Sequence, residues 1–369
     1  MFRSRSFLSG GSRSFAPHLL AACLGLTAFG PAGSAAEPTA LRDRLHALPY
    51  KLAYETYLQD NWEIFVANAD GSHAVNLTST PGIHEHYPQV SPDGAHICFS
   101  VDTGEGREAV RSLWVMDIDG GHRRKLVDSA REPFWSPDSR KIGFLPQEYP
   151  KFNVMDYYTK GMSFYDLATG QIEPHVNSAN LYHLYNPGFS KNGKWIVSTV
   201  HAGMGVGHAI LLIEAKGTNI INLNIPGCRP CFSPDGRQLA WGAGDHEIAV
   251  APINLDDPKP AIGAWSMTIH DPKNETYHVD WSPDSRFLSL SRGPASKGDP
   301  NKRGTFQSAC EIVGVYAPGW DILAVPADHQ GVLELDKATA AEWSSVTTNG
   351  FSNKESSWFT AKTSTPKQP

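Results

Sequence analysis

The chain has 369 residues, of which 40% are hydrophobic and 10% aromatic, and its formal net charge is −6 at neutral pH. This acidic balance argues against nucleic-acid binding, which depends on an excess of Lys and Arg. The length would suffice for two ordinary domains, but a single array of repeats occupies most of it, which indicates one domain.

Residues 1–36 have the pattern of a secretory signal peptide. Three arginines precede an apolar stretch at 19–29, and a run of small residues leads to a predicted cleavage before Glu37. Export to the periplasm or the cell exterior is therefore expected, and loss of the three arginines would take the net charge to −9. The apolar stretch is shorter than the roughly 20 residues that span a bilayer, so the mature chain is predicted to have no transmembrane segment. A lipoprotein anchor at Cys23 is an alternative.

A short motif recurs five times, in which an apolar or aromatic residue is followed by Ser-Pro-Asp-Gly or a close variant. Pro presets φ, Asp can bond the backbone two residues on, and Gly accepts a positive φ, so each copy predicts a tight turn. The alternating apolar residues after each turn predict a second strand. The third copy has Lys191-Asn192 in place of Pro-Asp, and the aligned copies begin at Pro88, Pro133, Pro187, Pro230 and Val279.

The spacing of the copies predicts a propeller. The intervals are 45, 54, 43 and 49 residues, close to the roughly 40–45 of a four-stranded blade. The first unit begins at a second strand, and Glu355–Thr360 has the spacing of an innermost strand without its turn. We therefore predict an all-β, six-bladed β-propeller of four-stranded blades, closed by a C-terminal strand that completes the first blade. A degenerate seventh blade around 309–316 is an alternative.

These repeats resemble those of the TolB-like proteins with WD40-like PD40 repeats, whose motif reads approximately P-x-W-S-P-D-G. The resemblance covers nearly all of residues 50–362 and implies a propeller, a fold that serves as scaffold, periplasmic adaptor, lyase or peptidase regulatory domain. The remaining segments are predicted to be an N-terminal extension at 37–49 with a short amphipathic helix, a loop insertion at 292–319 and a disordered tail at 363–369.

Candidate site residues come from the innermost strands, which face the central channel of a propeller. Almost all residues just before each aligned position are polar or aromatic, and we expect them to form a ligand-binding ring at one channel mouth. Solvation alone would also make such a mouth polar. The predicted ring consists of Glu85, His86, Tyr87, Arg131, Glu132, Tyr185, Arg229, Tyr277, His278, Lys354 and Glu355.

The leading functional prediction is a binding module or scaffold for a protein, peptide or glycan, without catalytic residues, metal or cofactor. The alternative is a metal-assisted lyase or a hydrolase acting on acidic sugar. His84-Glu85-His86 is similar to the metal-binding His-x-His of the oligogalacturonate lyases. In this alternative the base and the carboxylate-binding groups would be His86, Arg131, Arg229 and His278. We expect His84 and His86 to be solvated loop residues instead.

A third possibility is a pure scaffold, with the basic residues Lys297, Lys302 and Arg303 of the insertion as its contact surface. The mature cysteines could pair in three ways, and Cys228-x-x-Cys231 lacks the helix N-terminus that a redox pair needs. Four tryptophans in repeat phase are predicted to pack between blades. The four cysteines are Cys98, Cys228, Cys231 and Cys310, and the four tryptophans are Trp135, Trp241, Trp281 and Trp358.

Overall fold

The computed structural model describes residues 39–59, 61–104, 110–148, 158–294 and 319–361. The predicted signal peptide, the C-terminal tail, Cys310, the basic residues of the insertion and the segment considered for a seventh blade lie outside these ranges. Within them, no helix is long and apolar enough to cross a membrane.

The described residues form six sheets, one for each blade, as the sequence predicted. Alternating strand sequences and tight turns produce antiparallel neighbours throughout each four-stranded unit. Blade 1 contains β1 (Tyr50–Leu58), β2 (Asn61–Asn68) and β3 (Val75–Asn76); blade 2 contains β4 (His84–Val90), β5 (His96–Thr103), β6 (Val110–Asp117) and β7 (Arg124–Asp128); blade 3 contains β8 (Ala130–Trp135), β9 (Lys141–Pro146), β10 (Ser163–Asp166) and β11 (Ile172–Pro174).

The second half of the ring follows the same order, with the innermost strand first. Blade 4 contains β12 (Leu184–Phe189), β13 (Trp195–Gly203), β14 (Val206–Glu214) and β15 (Ile220–Asn222); blade 5 contains β16 (Cys228–Phe232), β17 (Gln238–Gly244), β18 (Glu247–Pro252) and β19 (Met267–His270); blade 6 contains β20 (Glu275–Trp281), β21 (Phe287–Gly293), β22 (Asp321–Pro326) and β24 (Ser344–Ser345). A 3-10 turn at Ser178–Asn180 precedes blade 4.

The ring is closed by β25 (Ser352–Thr360), which pairs antiparallel with β1 as the innermost strand of blade 1. This confirms the predicted closure. Trp358 of β25 is buried and donates from Nε1 to Ser289 Oγ of blade 6 at 2.7 Å. The C-terminal strand thus belongs to one blade by backbone pairing and contacts the neighbouring blade through a side chain.

Blade 5 has a fifth strand that the repeat pattern did not predict. β23 (Gly331–Glu334) pairs in parallel with β19, with His270 opposite Glu334, and the two side chains are joined at 2.8 Å between Nδ1 and Oε2. The chain leaves blade 6 after β22, adds this strand to blade 5 and returns to form β24. Blades 5 and 6 are therefore linked by an excursion of the chain as well as by their packed faces.

The serine of the repeat takes part in the hydrogen bonds that hold the turn. Ser91 Oγ donates to Asp93 Oδ1 at 2.6 Å and accepts from the backbone N–H of His96 at 3.0 Å. The divergent third copy keeps this arrangement, because Ser190 Oγ donates to Asn192 Oδ1 at 2.9 Å. The turn therefore tolerates the exchange of Pro-Asp for Lys-Asn.

Hydrophobic clusters fill the spaces between neighbouring blades. The four tryptophans predicted as core are all buried, with at most 7% of their surface exposed. The predicted helix is α1 (Leu41–His46), whose buried Leu41 and Leu45 pack with Trp358 and Phe287 where blades 1 and 6 meet. The helix therefore covers the closure of the ring.

Candidate functional site in the central channel

One residue in each innermost strand has a left-handed backbone. All six φ values lie between 50 and 55°, and the strand register shifts at the same place in every blade. Each innermost strand therefore contains a β-bulge, which re-aims the side chains next to it. The six residues are Tyr87, Glu132, Asn186, Arg229, His278 and Glu355.

This conformation is costly, since a left-handed L-residue is disfavoured by roughly 1–2 kcal/mol. Part of the compensation comes from hydrogen bonds to the backbone N–H of the bulge residue. Tyr87 N–H donates to Glu55 Oε2 at 2.8 Å, Asn186 N–H to Glu132 Oε2 at 3.1 Å, and the N–H of Arg229 to the hydroxyl of a threonine in blade 4 at 3.0 Å. A side chain of the preceding blade thus holds the bulge in these three blades.

The bulges surround one small cavity in the channel, with a volume of about 50 Å³ and lining residues from all six blades. Tyr87, Glu132, His278 and Glu355 line it, and they belong to the predicted ring. Ten of the eleven predicted residues are buried, and only Tyr87 is partly exposed. Most of the predicted ring therefore lies inside the channel wall instead of at an open mouth.

Two polar side chains of other blades meet at Glu355. Arg229 Nη1 donates to Glu355 Oε1 at 3.2 Å, and His278 Nε2 lies 2.9 Å from the same oxygen. Burial lowers the pKa of His278 to about 4, helped by Arg229 and Lys354 and opposed by Glu355, so the imidazole is neutral at pH 7. The pKa of Glu355 is low despite burial, because His278, Arg229 and Lys354 favour its ionised form.

A second carboxyl, Glu55 of β1, is electrostatically coupled to Glu355. Burial and the negative charge of Glu355 raise the pKa of Glu55, while the N–H of Tyr87 and the cations Lys354 and Arg111 oppose that rise. Lys354 is buried opposite Glu55 in the β1–β25 register, with Nζ 4.4 Å from the Trp320 ring centroid. Of this pair, Glu55 is therefore the carboxyl that favours the protonated form, and Glu355 is the one that favours the ionised form.

The expectation that His84 and His86 are solvated loop residues is wrong. Both lie in β4, and His86 is buried beside two carboxyl groups, with Nε2 3.4 Å from Asp102 Oδ2 and Nδ1 3.8 Å from Glu55 Oε2. Arg111 binds both oxygens of Asp102, at 2.7 and 2.6 Å, and keeps the pKa of that buried carboxyl low despite desolvation. His86 therefore belongs to a buried charge network.

The other predicted residues lie in the wall between innermost strands and their neighbours. Tyr185 donates to or accepts from His208 Nε2 at 3.0 Å, and its ring centroid lies 5.7 Å from the Arg229 guanidinium carbon. Tyr277 Oη donates to Asp245 Oδ1 at 2.5 Å. Two further members are Glu85, whose pKa burial raises to about 8 with help from Glu63, and the fully buried Arg131.

Known structures share this fold. TolB from Acinetobacter baumannii aligns with a TM-score of 0.55 at 14% identity, covering 84% of this chain and 66% of the TolB chain. A chain of the nidogen/laminin complex aligns with a TM-score of 0.55 at 10% identity, covering 85% of this chain and all of the other. An oligogalacturonate lyase in complex with manganese aligns with a TM-score of 0.47 at 14% identity, covering 80% and 86%.

The fold resembles that of TolB. Because this chain spans just under two thirds of the aligned TolB chain and the identities are low, the likeness extends to the propeller alone. No protein-family model matches the sequence, and no curated protein matches it either.

The residues near His86 do not fit a divalent metal site. The rings of His84 and His86 stack at 17° with centroids 6.1 Å apart, and Asp102 is occupied by Arg111. Among the described residues, no three His, Cys, Asp or Glu side chains are grouped closely enough to hold an ion. The cysteines described, Cys98, Cys228 and Cys231, are free thiols.

The raised pKa of Glu55 predicts a pH-dependent effect of Glu55→Gln. A carboxyl whose folded pKa lies above its unfolded value stabilises the fold fully below the unfolded pKa, and that contribution is lost as pH rises through the folded pKa. Wild type should therefore lose stability relative to Glu55→Gln between pH 5 and 9, by at least about 1.4 kcal/mol, the equivalent of one pKa unit. Urea unfolding at several pH values measures this difference.

The matched control is Glu173→Gln on the exposed outer strand of blade 3, whose difference from wild type should change much less over the same range. A Glu55→Gln difference that does not vary with pH would show that Glu55 is ionised in the folded protein.

Proposed function

We propose that this chain is an exported binding module, built from PD40-type repeats, that holds a protein or peptide ligand at one end of its channel. The observation that carries the proposal is the set of six left-handed bulges around one cavity, which five of the six bulge residues line. Strained residues that persist in a fold cluster at ligand-binding and switch regions. The propeller at 50–362, the leader at 1–36, the extension at 37–49 and the tail at 363–369 form part of the proposal.

The size of the cavity favours a protein or peptide over a glycan. Pockets for small molecules measure roughly 300–1,000 Å³, whereas this one measures about 50 Å³. It can take the tip of one inserted side chain, with Tyr87, Glu132, His278 and Glu355 as contacts. The same size argues against the alternative of a lyase or hydrolase that encloses a sugar ring.

The test is calorimetric titration with blocked pentapeptides Gly-Ser-X-Ser-Gly, where X is Lys, Arg, Asp, Trp or Ser, and with trigalacturonate. Asn186→Gly removes a cavity side chain while keeping a residue suited to φ of 50°. We expect one pentapeptide to bind wild type and to bind the variant at least about tenfold more weakly. Cleavage of trigalacturonate, detected by the ultraviolet absorbance of an unsaturated product, would favour the lyase instead.

A further inference from the structure

A cleft of about 590 Å³ lies between blades 3 and 4, outside the channel. Its walls include the Ser136–Asp138 turn of blade 3 and the divergent Lys191–Gly193 turn of blade 4. This volume falls within the roughly 300–1,000 Å³ typical of pockets that bind ligands. The cleft is therefore large enough for a few residues of a peptide.

Aromatic rings form the apolar side of the cleft. Phe164 and Phe189 line it and are only partly buried, with ring centroids 5.8 Å apart at 39°. Phe189 occupies the repeat position at which blades 3 and 6 carry Trp135 and Trp281 and blade 5 carries Phe232. Val176 adds an apolar side chain that is 64% exposed at the rim.

Cationic side chains surround these rings. Lys141 Nζ is paired with Glu173 Oε2 at 2.6 Å, but Lys191 and Lys216 form no ion pair with any residue in the described ranges. Asp138 already accepts from Ser136 Oγ at 2.6 Å. Two cations are thus available to a ligand in a protein whose overall charge is negative.

The positive charge is specific to this copy of the repeat. Lys191-Asn192 stands where the other four copies have Pro-Asp, a local difference of two charge units. The turn does not need the exchange, because Asn192 Oδ1 accepts from Ser190 Oγ and from the N–H of Lys194 just as the aspartate does elsewhere. The substitution therefore changes the charge of the cleft and leaves the turn as it is.

We infer that this cleft binds an acidic peptide segment of a partner protein that carries an aromatic side chain. The aromatic ring packs on Phe164 and Phe189, and the flanking carboxylates bind Lys191 and Lys216, since charge-assisted contacts are strongest where both partners are ionised. The cleft shares no lining residue with the channel cavity, so binding in the cleft does not depend on binding in the channel.

The experiment is calorimetric titration with the blocked peptide Glu-Asp-Phe-Asp-Glu. Wild type should bind it, and Lys191→Pro combined with Asn192→Asp should bind about ten- to a hundredfold more weakly, the loss of one charge-assisted contact. This variant restores the residues of the other turns, so it should fold. Lys259→Gln, which removes a positive charge from blade 5, is the charge control and should bind like wild type.

Two further experiments test the aromatic contact separately from the charge contacts. Replacing the peptide's Phe by Gly, or introducing Phe189→Trp to fill the cleft, should each abolish binding. Lys216→Gln provides the charge test if the double variant does not fold. No binding at millimolar peptide, or equal binding by wild type and the charge variants, would overturn the inference.

Discussion

Replacing Glu355 with alanine should lower the free energy of unfolding by about 3–5 kcal/mol, because it leaves a buried arginine without its counter-charge. Arg229 is 8% exposed and donates to Glu355 Oε1, the oxygen that His278 also contacts. The neutral imidazole of His278 cannot replace the lost charge, and Arg229 remains buried. Urea unfolding followed by tryptophan fluorescence measures the change.

The double variant Arg229→Met with Glu355→Met is the informative comparison. Replacing a buried ion pair with apolar residues of similar volume is often neutral or stabilising. We therefore expect the double variant to be more stable than Glu355→Ala, with a coupling energy of at least about 1 kcal/mol in the double-mutant cycle. Additive losses would mean that the two side chains do not interact in the folded protein.

Replacing Trp358 with alanine should also cost about 3–5 kcal/mol, as truncation of a buried aromatic side chain typically does. The ring packs in the cluster at the junction of blades 1 and 6, and its N–H donates to Ser289. The loss therefore combines a cavity, a lost hydrogen bond and a weakened closure. Thermal and urea unfolding should both record it.

Trp265→Ala is the matched control for this loss. Trp265 is 43% exposed and contacts Trp241 only at an edge, with ring centroids 5.4 Å apart at 85°. Its truncation should cost less than about 1 kcal/mol. Equal losses at the two positions would show that the closure contributes no more than an exposed aromatic contact.

The repeat pattern was sufficient to predict the ring, since turn chemistry and strand period are local properties. The motif positions predicted the blades, and the missing first strand predicted the closure by β25. The buried tryptophans followed from their repeat phase. The fifth strand β23 was not predicted, because its partner β19 is fixed by a long-range contact outside the repeat.

The candidate site was predicted only in part. Four of the eleven predicted residues line the channel cavity, but nothing in the residue types indicated a left-handed backbone. Four of the six bulge residues precede a proline, which favours an extended backbone at the residue before it. Local sequence preference therefore predicted extended backbone, and not a left-handed one, at Tyr87, Glu132, Asn186 and Arg229. The recurrence of a polar residue at this one position was the available signal.

Charge pairing in the channel could not be predicted, because it joins side chains on different strands and, at Glu355, on different blades. Glu355 and Arg229 are 126 residues apart, and His86 meets its carboxylates only after β1, β4 and β5 have assembled. The error over His84 and His86 has the same origin. The burial of His86 and the partial burial of His84 depend on packing of distant strands and not on the polar sequence around them.

The two late strands have a consequence for the order of folding. Thr56 donates to Asn353, 297 residues further along the chain, and β19 pairs with β23. Blades 1 and 5 therefore both lack a strand until residues 331–360 have been made. Such distant pairing slows folding. The earlier blades can form hairpins as they emerge, but the inner edge of β1 and the outer edge of β19 stay open until β25 and β23 have been made. During that interval the growing chain presents two strand edges on which another chain could pair.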